Sequence, residues 1–411
     1  MANIDTPNSA KQSKQFLYLY ALAMAGGSIA YIPFLTILLP VQAVNIAGKN
    51  ALNLLAYAAF FGAISASIAN IGFGWLSDRS KSRRRWIVAG LIGSSALLPA
   101  MQIATGPIIL IAMIICWQIS LNMMLAPLSA WAGDCVPDAQ KGLLGGLLAL
   151  APALGALSGT LVTLDGFASM DGRLLWVSAL VLVLVCPVLI FGKPVPMPQL
   201  NAPQFAAENF QPQNDARHAA QNRDMVMRMW LARFLVQIAE ASLFAFLLLW
   251  FKSLDPDFGE NRASTIFTAV LGVAVIFSLM VGRWSDRTDR PILPLALCCG
   301  LAALGLAIMS MAPSMLVAIL GYVVFGVGSN IFLALHSSQT LRVLPSRRTR
   351  GRDLGIFNLT NTVPSLIMPW LTLALVPTYG FSALFILLTG LAVIASALLF
   401  TMINRMNAAI A

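Results

Sequence analysis

Long apolar stretches constrain the fold of this chain more than any other feature. Crossing a lipid bilayer as a helix takes about 20 apolar residues. Only helices and closed barrels satisfy their backbone groups inside a membrane, and the strict alternation typical of a barrel strand is absent here. We therefore predict an all-α membrane protein with twelve spans, which begin near Phe16, Ala51, Trp86, Ile108, Gly142, Leu174, Met229, Ala263, Pro291, Ser314, Leu354 and Phe381.

The composition excludes a soluble globular protein. Hydrophobic residues make up 58% of the chain, charged residues 10%, and the mean hydropathy is +0.80. A soluble domain carries about 25% charged residues. The sequence has two histidines and lacks the HExxH, Walker-loop and GxSxG patterns of metal, nucleotide and acyl-transfer chemistry. We expect no enzymatic activity, no metal and no cofactor.

The basic residues indicate how the chain is oriented. The formal net charge is +10, from 26 Lys and Arg against 16 Asp and Glu. Cytoplasmic loops of membrane proteins are enriched in Lys and Arg. If the N-terminus is cytoplasmic, the predicted cytoplasmic segments contain all but five of the Lys and Arg residues. Both termini are therefore predicted to be cytoplasmic. The basic excess records this orientation, so nucleic acid is not expected as a partner. The five exceptions are Lys49, Arg173, Arg233, Lys252 and Arg262.

One short phrase occurs twice, and its two copies lie about half a chain length apart. The first copy is Gly74-x-x-x-Asp78-Arg79 and the second is Gly282-x-x-x-Asp286-Arg287. The same offset relates Asn122 to Asn330. Repeats that span half of a membrane protein are typical of secondary transporters, whose substrate sites lie between the repeats. The repetition therefore favours a transport function.

A polar segment separates the two repeats. Its closely spaced prolines and low hydrophobicity oppose both a helix and a packed core. We predict an N-terminal bundle over residues 1–191, a cytoplasmic linker over 192–228 and a C-terminal bundle over 229–411. His218 lies in this linker and is expected to be solvated. The prolines are Pro194, Pro196, Pro198, Pro203 and Pro212.

The duplicated phrase, the twelve spans and the central linker resemble the major facilitator superfamily along nearly the whole chain. This chain departs from the family phrase after Arg79, because Lys81 and Ser82 stand where a glycine usually follows. The resemblance implies two pseudo-symmetric six-helix bundles in a bacterial inner membrane. It also implies that a monomer moves a small molecule by alternating access, and that the first, fourth, seventh and tenth helices line a central cavity.

In that family the repeated phrase latches the cytoplasmic side. A glycine lets a neighbouring helix approach closely, and an aspartate at a helix end can accept a helix N-terminus or pair with arginine. The alternative is that the phrase only sets topology and turns. The resemblance assigns the cytoplasmic gate to Gly74, Asp78, Arg79, Gly282, Asp286 and Arg287.

Glu240 is the only acidic residue deep in a predicted span, and it lies on the seventh helix. Arg233, Gln237 and Glu240 follow i, i+4, i+7 spacing and share one helix face. Arg233 and Glu240 are about 10 Å apart along the axis, too far for a tight ion pair. Ionisable groups in membranes are costly and usually functional. We assign proton coupling to Glu240 and Arg233, with a purely structural carboxylate as the alternative.

Other polar residues in the spans are candidates for the substrate cavity. A buried amide needs a partner, either on another helix or on a ligand. Both roles stay open for each of them. Gly26 and Gly27 on the first helix are predicted to allow close packing beside Tyr31. The cavity candidates are Tyr31, Gln118, Asn122, Gln237, Asn330, Asn358 and Asn361.

The direction of transport has two opposing indications. Pro152 and Gly155 form a degenerate version of a phrase found in proton-driven exporters of the family. The segments 77–86 and 351–358 are similar to those of bacterial sugar/proton symporters. The polar faces favour proton-coupled uptake of a polar solute such as a sugar. A drug or metabolite efflux antiporter and a lipid translocator are the alternatives.

Overall fold

The computed structural model describes residues 11–195, 215–288, 292–343 and 350–410. Within these helices it describes only the backbone at residues 133, 138, 139, 141, 142, 215–223, 286, 288, 337–343, 350–358 and 404–410. The described residues form helices and connecting turns, with no strand among them. This confirms the predicted helical class.

Thirteen α-helices are present in the described part of the chain. The first eight are α1 Lys14–Pro33, α2 Leu39–Ala47, α3 Ala51–Ser80, α4 Arg83–Ala100, α5 Pro107–Cys135, α6 Asp138–Leu148, α7 Ala151–Val162 and α8 Arg173–Phe191. The other five are α9 Asp215–Leu254, α10 Glu260–Thr288, α11 Leu293–Ser310, α12 Met315–Val343 and α13 Arg350–Ile410. A π-helical segment, Phe34–Leu38, joins α1 to α2.

Ten helical stretches of the described chain are long and apolar enough to cross a membrane. Two of them exceed a single crossing, because Lys14–Ser80 has 67 residues and Leu359–Ile403 has 45. The second contains Gly380 at φ 74°, a left-handed conformation that glycine adopts readily and that interrupts the helix. The exact number of twelve spans stays a prediction.

The described residues group into two compact units. The first contains residues 11–33, 65–104 and 112–195, and the second contains residues 34–64, 105–111 and 215–410. Helices α3 and α5 each contribute to both units. The predicted division of the chain at residues 191 and 229 stays a prediction.

In the first unit α1 packs against α7 and α8. A Cβ atom on Gly26 would lie 2.8 Å from Val185 Cγ2, and one on Gly27 would lie 2.6 Å from Leu125 Cδ2. The expected close packing at this glycine pair is confirmed. Gly155 on α7 is equally constrained, because its Cβ would lie 3.1 Å from the backbone of Ser28.

In the first unit, hydrogen bonds attach the start of the polar segment to residues near the N-terminus. The Gln12 side chain donates from Nε2 to the Val195 carbonyl (2.7 Å) and accepts the Val195 N–H at Oε1 (3.0 Å). The Gln12 backbone makes the corresponding pair of bonds with the Gln140 amide (2.7 and 3.0 Å). Residues 12, 140 and 195 are therefore held together by four hydrogen bonds.

In the second unit α9 packs against α12 and α13, and α11 packs between those two helices. Large side chains such as Phe332 and Phe385 are fully buried in this unit. Gly305 on α11 faces the backbone of Phe325 and Gly321 on α12. This crossing leaves no room for a side chain at position 305, which makes Gly305 essential to the packing of α11 on α12.

We predict that Gly305→Ala destabilises the second unit. The added methyl group would lie 2.6 Å from Phe325 Cα and 2.7 Å from the Gly321 carbonyl oxygen, and backbone atoms yield little. Overpacking of this kind costs about 1–3 kcal/mol, so the midpoint of thermal unfolding in detergent should fall. Gly272→Ala on α10 is the matched control, because a Cβ there meets no atom within 4 Å. Equal midpoints for the two variants would contradict the prediction.

Candidate functional site

Glu240 lies near the centre of the apolar stretch Asp224–Leu254 of α9. Ser329 Oγ on α12 donates a hydrogen bond to Glu240 Oε2 (2.7 Å), and a side-chain hydrogen bond from Asn330 also reaches the carboxylate. Ser329 is fully buried and can donate instead to the Gly326 carbonyl (3.3 Å). A hydroxyl and an amide group from α12 thus contact this carboxylate.

Arg233 lies two helical turns before Glu240 and bonds to different residues. One nitrogen, Nη1, donates to the Leu333 carbonyl (3.4 Å) and lies 3.5 Å from His336 Nδ1. The other, Nη2, donates to Asn361 Oδ1 (3.2 Å). The guanidinium therefore connects α9 to α12 and α13, and Asn361 enters the same cluster.

Gln237 lies between these two charged residues on α9. Its Oε1 atom is buried and has no hydrogen-bond partner among the described residues. A buried amide oxygen without a partner is costly. The same helix face therefore presents a cation, an amide acceptor and a carboxylate, in the order that the sequence spacing predicts.

The Asn122 amide of α5 makes a separate polar contact in the first unit. It accepts a hydrogen bond at Oδ1 from Asn70 Nδ2 on α3 (3.2 Å) and donates from Nδ2 to the Gln118 carbonyl (2.9 Å). Asn330 repeats the second of these bonds, because its Nδ2 donates to the Gly326 carbonyl one turn earlier (2.8 Å). Asn122 and Asn330 are therefore alike locally, but Asn122 contacts another amide whereas Asn330 contacts Glu240.

Two further cavity candidates have less defined roles. Tyr31 on α1 is linked by a side-chain hydrogen bond to Ser28, one turn earlier on the same helix. Asn358 lies on α13, and its side chain is outside the described residues. The part of both residues in a substrate cavity stays a prediction.

The first copy of the repeated phrase is organised around Arg83, the first residue of α4. Its Nη2 lies 2.5 Å from Asp78 Oδ1, its Nε donates to Asp134 Oδ2 (2.9 Å), and its Nη1 donates to Ser77 Oγ (2.6 Å). Arg83 thus joins the end of α3 to the end of α5. Asp78 therefore pairs with an arginine, which is one of the two contacts expected for it, and its part in a gate stays a prediction.

Gly74 and Arg79 complete the first copy of the phrase, and their part in a gate stays a prediction. A Cβ on Gly74 would meet no atom of the described residues within 4 Å. Arg79 does not bind a carboxylate in the described structure but stacks over the Trp75 ring, 5.4 Å from its centroid.

The second copy of the phrase lies on α10. A Cβ on Gly282 would lie 3.5 Å from Leu335 Cδ2, which is an ordinary van der Waals contact rather than a close approach. Arg287 is exposed, and the side chain of Asp286 lies outside the described residues. The part played by this copy in a gate stays a prediction.

Three residues of these clusters were not predicted from the sequence: Asp134, Ser329 and Asn70. Asp134 lies at the end of a predicted span, as Asp78 does, and this shared position was the signal that could have found it. Burial and the Asp134 carboxylate raise the pKa of the neighbouring Cys135 thiol to about 11. That thiol therefore stays protonated at neutral pH. Ser329 is adjacent in sequence to Asn330, a predicted cavity residue, and this adjacency could have identified it as the partner of Glu240.

An aromatic contact in the second unit joins α3 to α13. The Trp370 ring lies edge-to-face against Phe60 (centroids 5.1 Å apart) and Tyr57 (6.3 Å). Such pairs contribute about 0.5–1.5 kcal/mol beyond the area they bury. Nearly half of the Trp370 surface remains exposed. The N-terminal half of α3 is thereby attached to the second unit.

The sequence profile of the Major Facilitator Superfamily matches residues 16–348 and, in a second match, residues 229–409. The chain belongs to the Major Facilitator Superfamily. It is therefore a multi-pass membrane protein and a secondary transporter of small molecules. The predicted family is confirmed. No curated protein matches this family member in sequence.

Solved structures of transporters have the same fold as this superfamily member. The nucleoside transporter NupG aligns with a TM-score of 0.69 at 15% identity, over 94% of this chain and 99% of its own. A peptide transporter of the POT group in complex with sulfate aligns with a TM-score of 0.70 at 15% identity, over 95% and 94%. A bacterial homolog of the human lysosomal transporter Spinster aligns with a TM-score of 0.63 at 12% identity, over 95% and 94%. At these identities the likeness extends to the fold alone.

Proposed function

We propose that this superfamily member carries a small polar organic solute, such as a sugar, into the cell together with protons. In this proposal Glu240 is the proton carrier and the proton gradient is the energy source, without a cofactor. The protein works as a monomer in a bacterial inner membrane with both termini in the cytoplasm. The observation that supports this most directly is the hydrogen bonding of Glu240.

The Ser329 hydroxyl suits both protonation states of Glu240. When the carboxyl is ionised, Ser329 donates to Oε2 over 2.7 Å. When the carboxyl is protonated, its O–H can donate to Ser329 Oγ, and the serine proton can turn to the Gly326 carbonyl 3.3 Å away. A hydroxyl is both a donor and an acceptor, so this exchange leaves no polar group unsatisfied. Such a site supports repeated loading and release of a proton.

The amides near this carboxyl support a polar substrate. Gln237 Oε1 is a buried acceptor without a partner among the described side chains, and a hydroxyl group of a solute would satisfy it. Arg233 lies on the same face and adds a cation to the set. A site that binds solute hydroxyl groups with buried amides rejects solutes without them.

The exporter-like phrase of α7 does not favour the opposite direction. Gly155 is required by its packing against Ser28 of α1, where a side chain would clash whichever way the solute moves. The glycine thus has a structural reason to be present. Efflux and lipid translocation therefore have no specific observation in their favour and become outcomes of the test.

The test begins with a thermal-shift screen of the purified protein against sugars, organic acids, cationic drugs and phospholipids, because ligand binding raises apparent stability. The best ligand is then assayed in proteoliposomes with an imposed pH gradient. Coupling of one proton per solute predicts about tenfold accumulation for each pH unit, since 1.4 kcal/mol is a factor of ten. Uptake that is the same with and without the pH gradient would overturn the proposal. Solute movement in the direction opposite to proton movement would overturn it too.

A further inference from the structure

His336 is fully buried in α12, and both of its ring nitrogens contact α9. Nε2 lies 2.9 Å from the carbonyl oxygen of Met229, and Nδ1 lies 3.5 Å from Arg233 Nη1. Met229 and Arg233 are four residues apart, so they are neighbours on one face of α9. The imidazole ring thus lies along one turn of α9.

These two contacts determine the tautomer of His336. A carbonyl oxygen only accepts hydrogen bonds, so Nε2 must carry the hydrogen. A guanidinium only donates, so Nδ1 must be the unprotonated acceptor. An imidazolium would direct a second N–H and a second positive charge at Arg233. The ring is therefore neutral and protonated at Nε2 while the Arg233 guanidinium lies beside it.

The guanidinium of Arg233 faces acceptors on two helices, α12 and α13, among the described residues. His336 Nδ1 and the Leu333 carbonyl face Nη1 from α12, and Asn361 Oδ1 accepts from Nη2 on α13 (3.2 Å). The two carbonyl-type acceptors are a backbone group and a flexible amide. The imidazole is the only rigid ring of the three, and its second nitrogen is itself fixed by Met229.

We propose that His336 is a positioning residue for Arg233. Its Nδ1 lone pair fixes the guanidinium on the face of α9 that also carries Gln237 and Glu240. The role depends on the proposed function for its biological meaning, because that proposal places Arg233 in the transport site. The alternative is that His336 only fills space beside Phe332, whose ring lies 5.2 Å away.

Two substitutions separate the contacts of the two ring nitrogens. An asparagine amide occupies roughly the position of Nδ1, so His336→Asn keeps an acceptor for Arg233 and loses the bond to Met229. A glutamine amide reaches roughly the position of Nε2, so His336→Gln keeps the Met229 bond and loses the Arg233 acceptor. The positioning role predicts that Asn preserves the site and Gln disrupts it. A role in packing or in anchoring Met229 predicts the reverse order.

The probe is phenylglyoxal, which modifies accessible guanidinium groups, applied to the full chain in proteoliposomes. Mass spectrometry follows the modification rate of Arg233. We expect His336→Gln to be modified several-fold faster than the parent protein and His336→Asn to match the parent. Arg228 also lies on α9 and donates hydrogen bonds to Asp224 Oδ2 and to Thr401 Oγ1 of α13. It is the internal control, and its modification rate should not change. Equal Arg233 rates in the two variants would overturn the proposal.

A spectroscopic readout checks the tautomer independently of transport. The chain has two histidines, so ¹⁵N-histidine labelling with a His218→Gln variant assigns the His336 signals. We expect Nε2 to be protonated and Nδ1 to be unprotonated, with the Nδ1 signal shifted by Arg233→Gln. The opposite tautomer would refute the inference. An Nδ1 chemical shift that is the same in the parent protein and in Arg233→Gln would refute it too. If both readouts hold and no proton-driven transport is found, the proposed function fails while the positioning role of His336 stands.

Discussion

Glu240→Gln should reduce solute accumulation under an imposed pH gradient to the level of passive equilibration. Glutamine retains an oxygen that can accept a hydrogen bond from the Ser329 hydroxyl, as Glu240 Oε2 does over 2.7 Å. The fold should therefore be kept. It has no ionisable group and therefore cannot carry a proton. About tenfold accumulation per pH unit in the parent protein should fall to about onefold. Uptake into proteoliposomes, with and without the gradient, measures this change.

Exchange of solute across the membrane in the absence of a gradient should continue in Glu240→Gln. Exchange requires binding and conformational change but no net proton movement. Glu260→Gln is the matched control, since Glu260 lies at the start of α10 and pairs with Lys252 at 3.4 Å. That variant should accumulate solute like the parent. If Glu240→Gln still accumulates solute against its gradient, Glu240 is a structural carboxylate and the proton passes elsewhere.

Much of this site followed from helical spacing alone. The i, i+4, i+7 relation placed Arg233, Gln237 and Glu240 on one face of α9. A rise of about 10 Å along the helix axis explains why the two charged residues have different partners. The identity of those partners was not predictable. Whether Glu240 meets Ser329 or Asn330 depends on the rotation of α12 about its axis, and residues 240 and 329 are separated by 89 positions.

The repeated phrase shows what spacing leaves undetermined. The glycine of a repeated phrase is not always the one that packing requires, because a Cβ on Gly74 would meet no atom of the described residues within 4 Å. The residues that do require glycine, such as Gly305, carry no distinguishing pattern in the sequence. Asp134 was missed because its contact with Arg83 spans 51 residues and two helix ends. Such contacts depend on how far each helix extends beyond the apolar region.

Arg83→Gln should impair the transport cycle more than the loss of either of its carboxylate partners. The Arg83 side chain is 16% exposed, against 63% for Asp78 and 35% for Asp134, so it is the buried centre of the three. Its removal leaves two carboxylates close together without a cation, whereas Asp78→Asn leaves the Arg83–Asp134 pair intact. We expect turnover to fall by about tenfold, equivalent to 1.4 kcal/mol in the barrier, for Arg83→Gln. Asp78→Asn should lower turnover by less and unfold at the parent temperature.

Arg85→Gln separates the loss of this network from the loss of one positive charge. Arg85 is exposed and lies two residues after Arg83 in the first turn of α4. Its replacement by glutamine removes one positive charge, as Arg83→Gln does. Exposed ion pairs contribute about 0–1 kcal/mol, and this variant should therefore transport and unfold like the parent. Solute exchange rates and unfolding midpoints of Arg83→Gln, Asp78→Asn and Arg85→Gln, measured on the same preparations, decide the matter. A turnover for Arg83→Gln equal to that of Arg85→Gln would mean that these charges set orientation in the membrane and have no part in a gate. A fall in turnover that follows the unfolding midpoint across the three variants would assign Arg83 to folding instead.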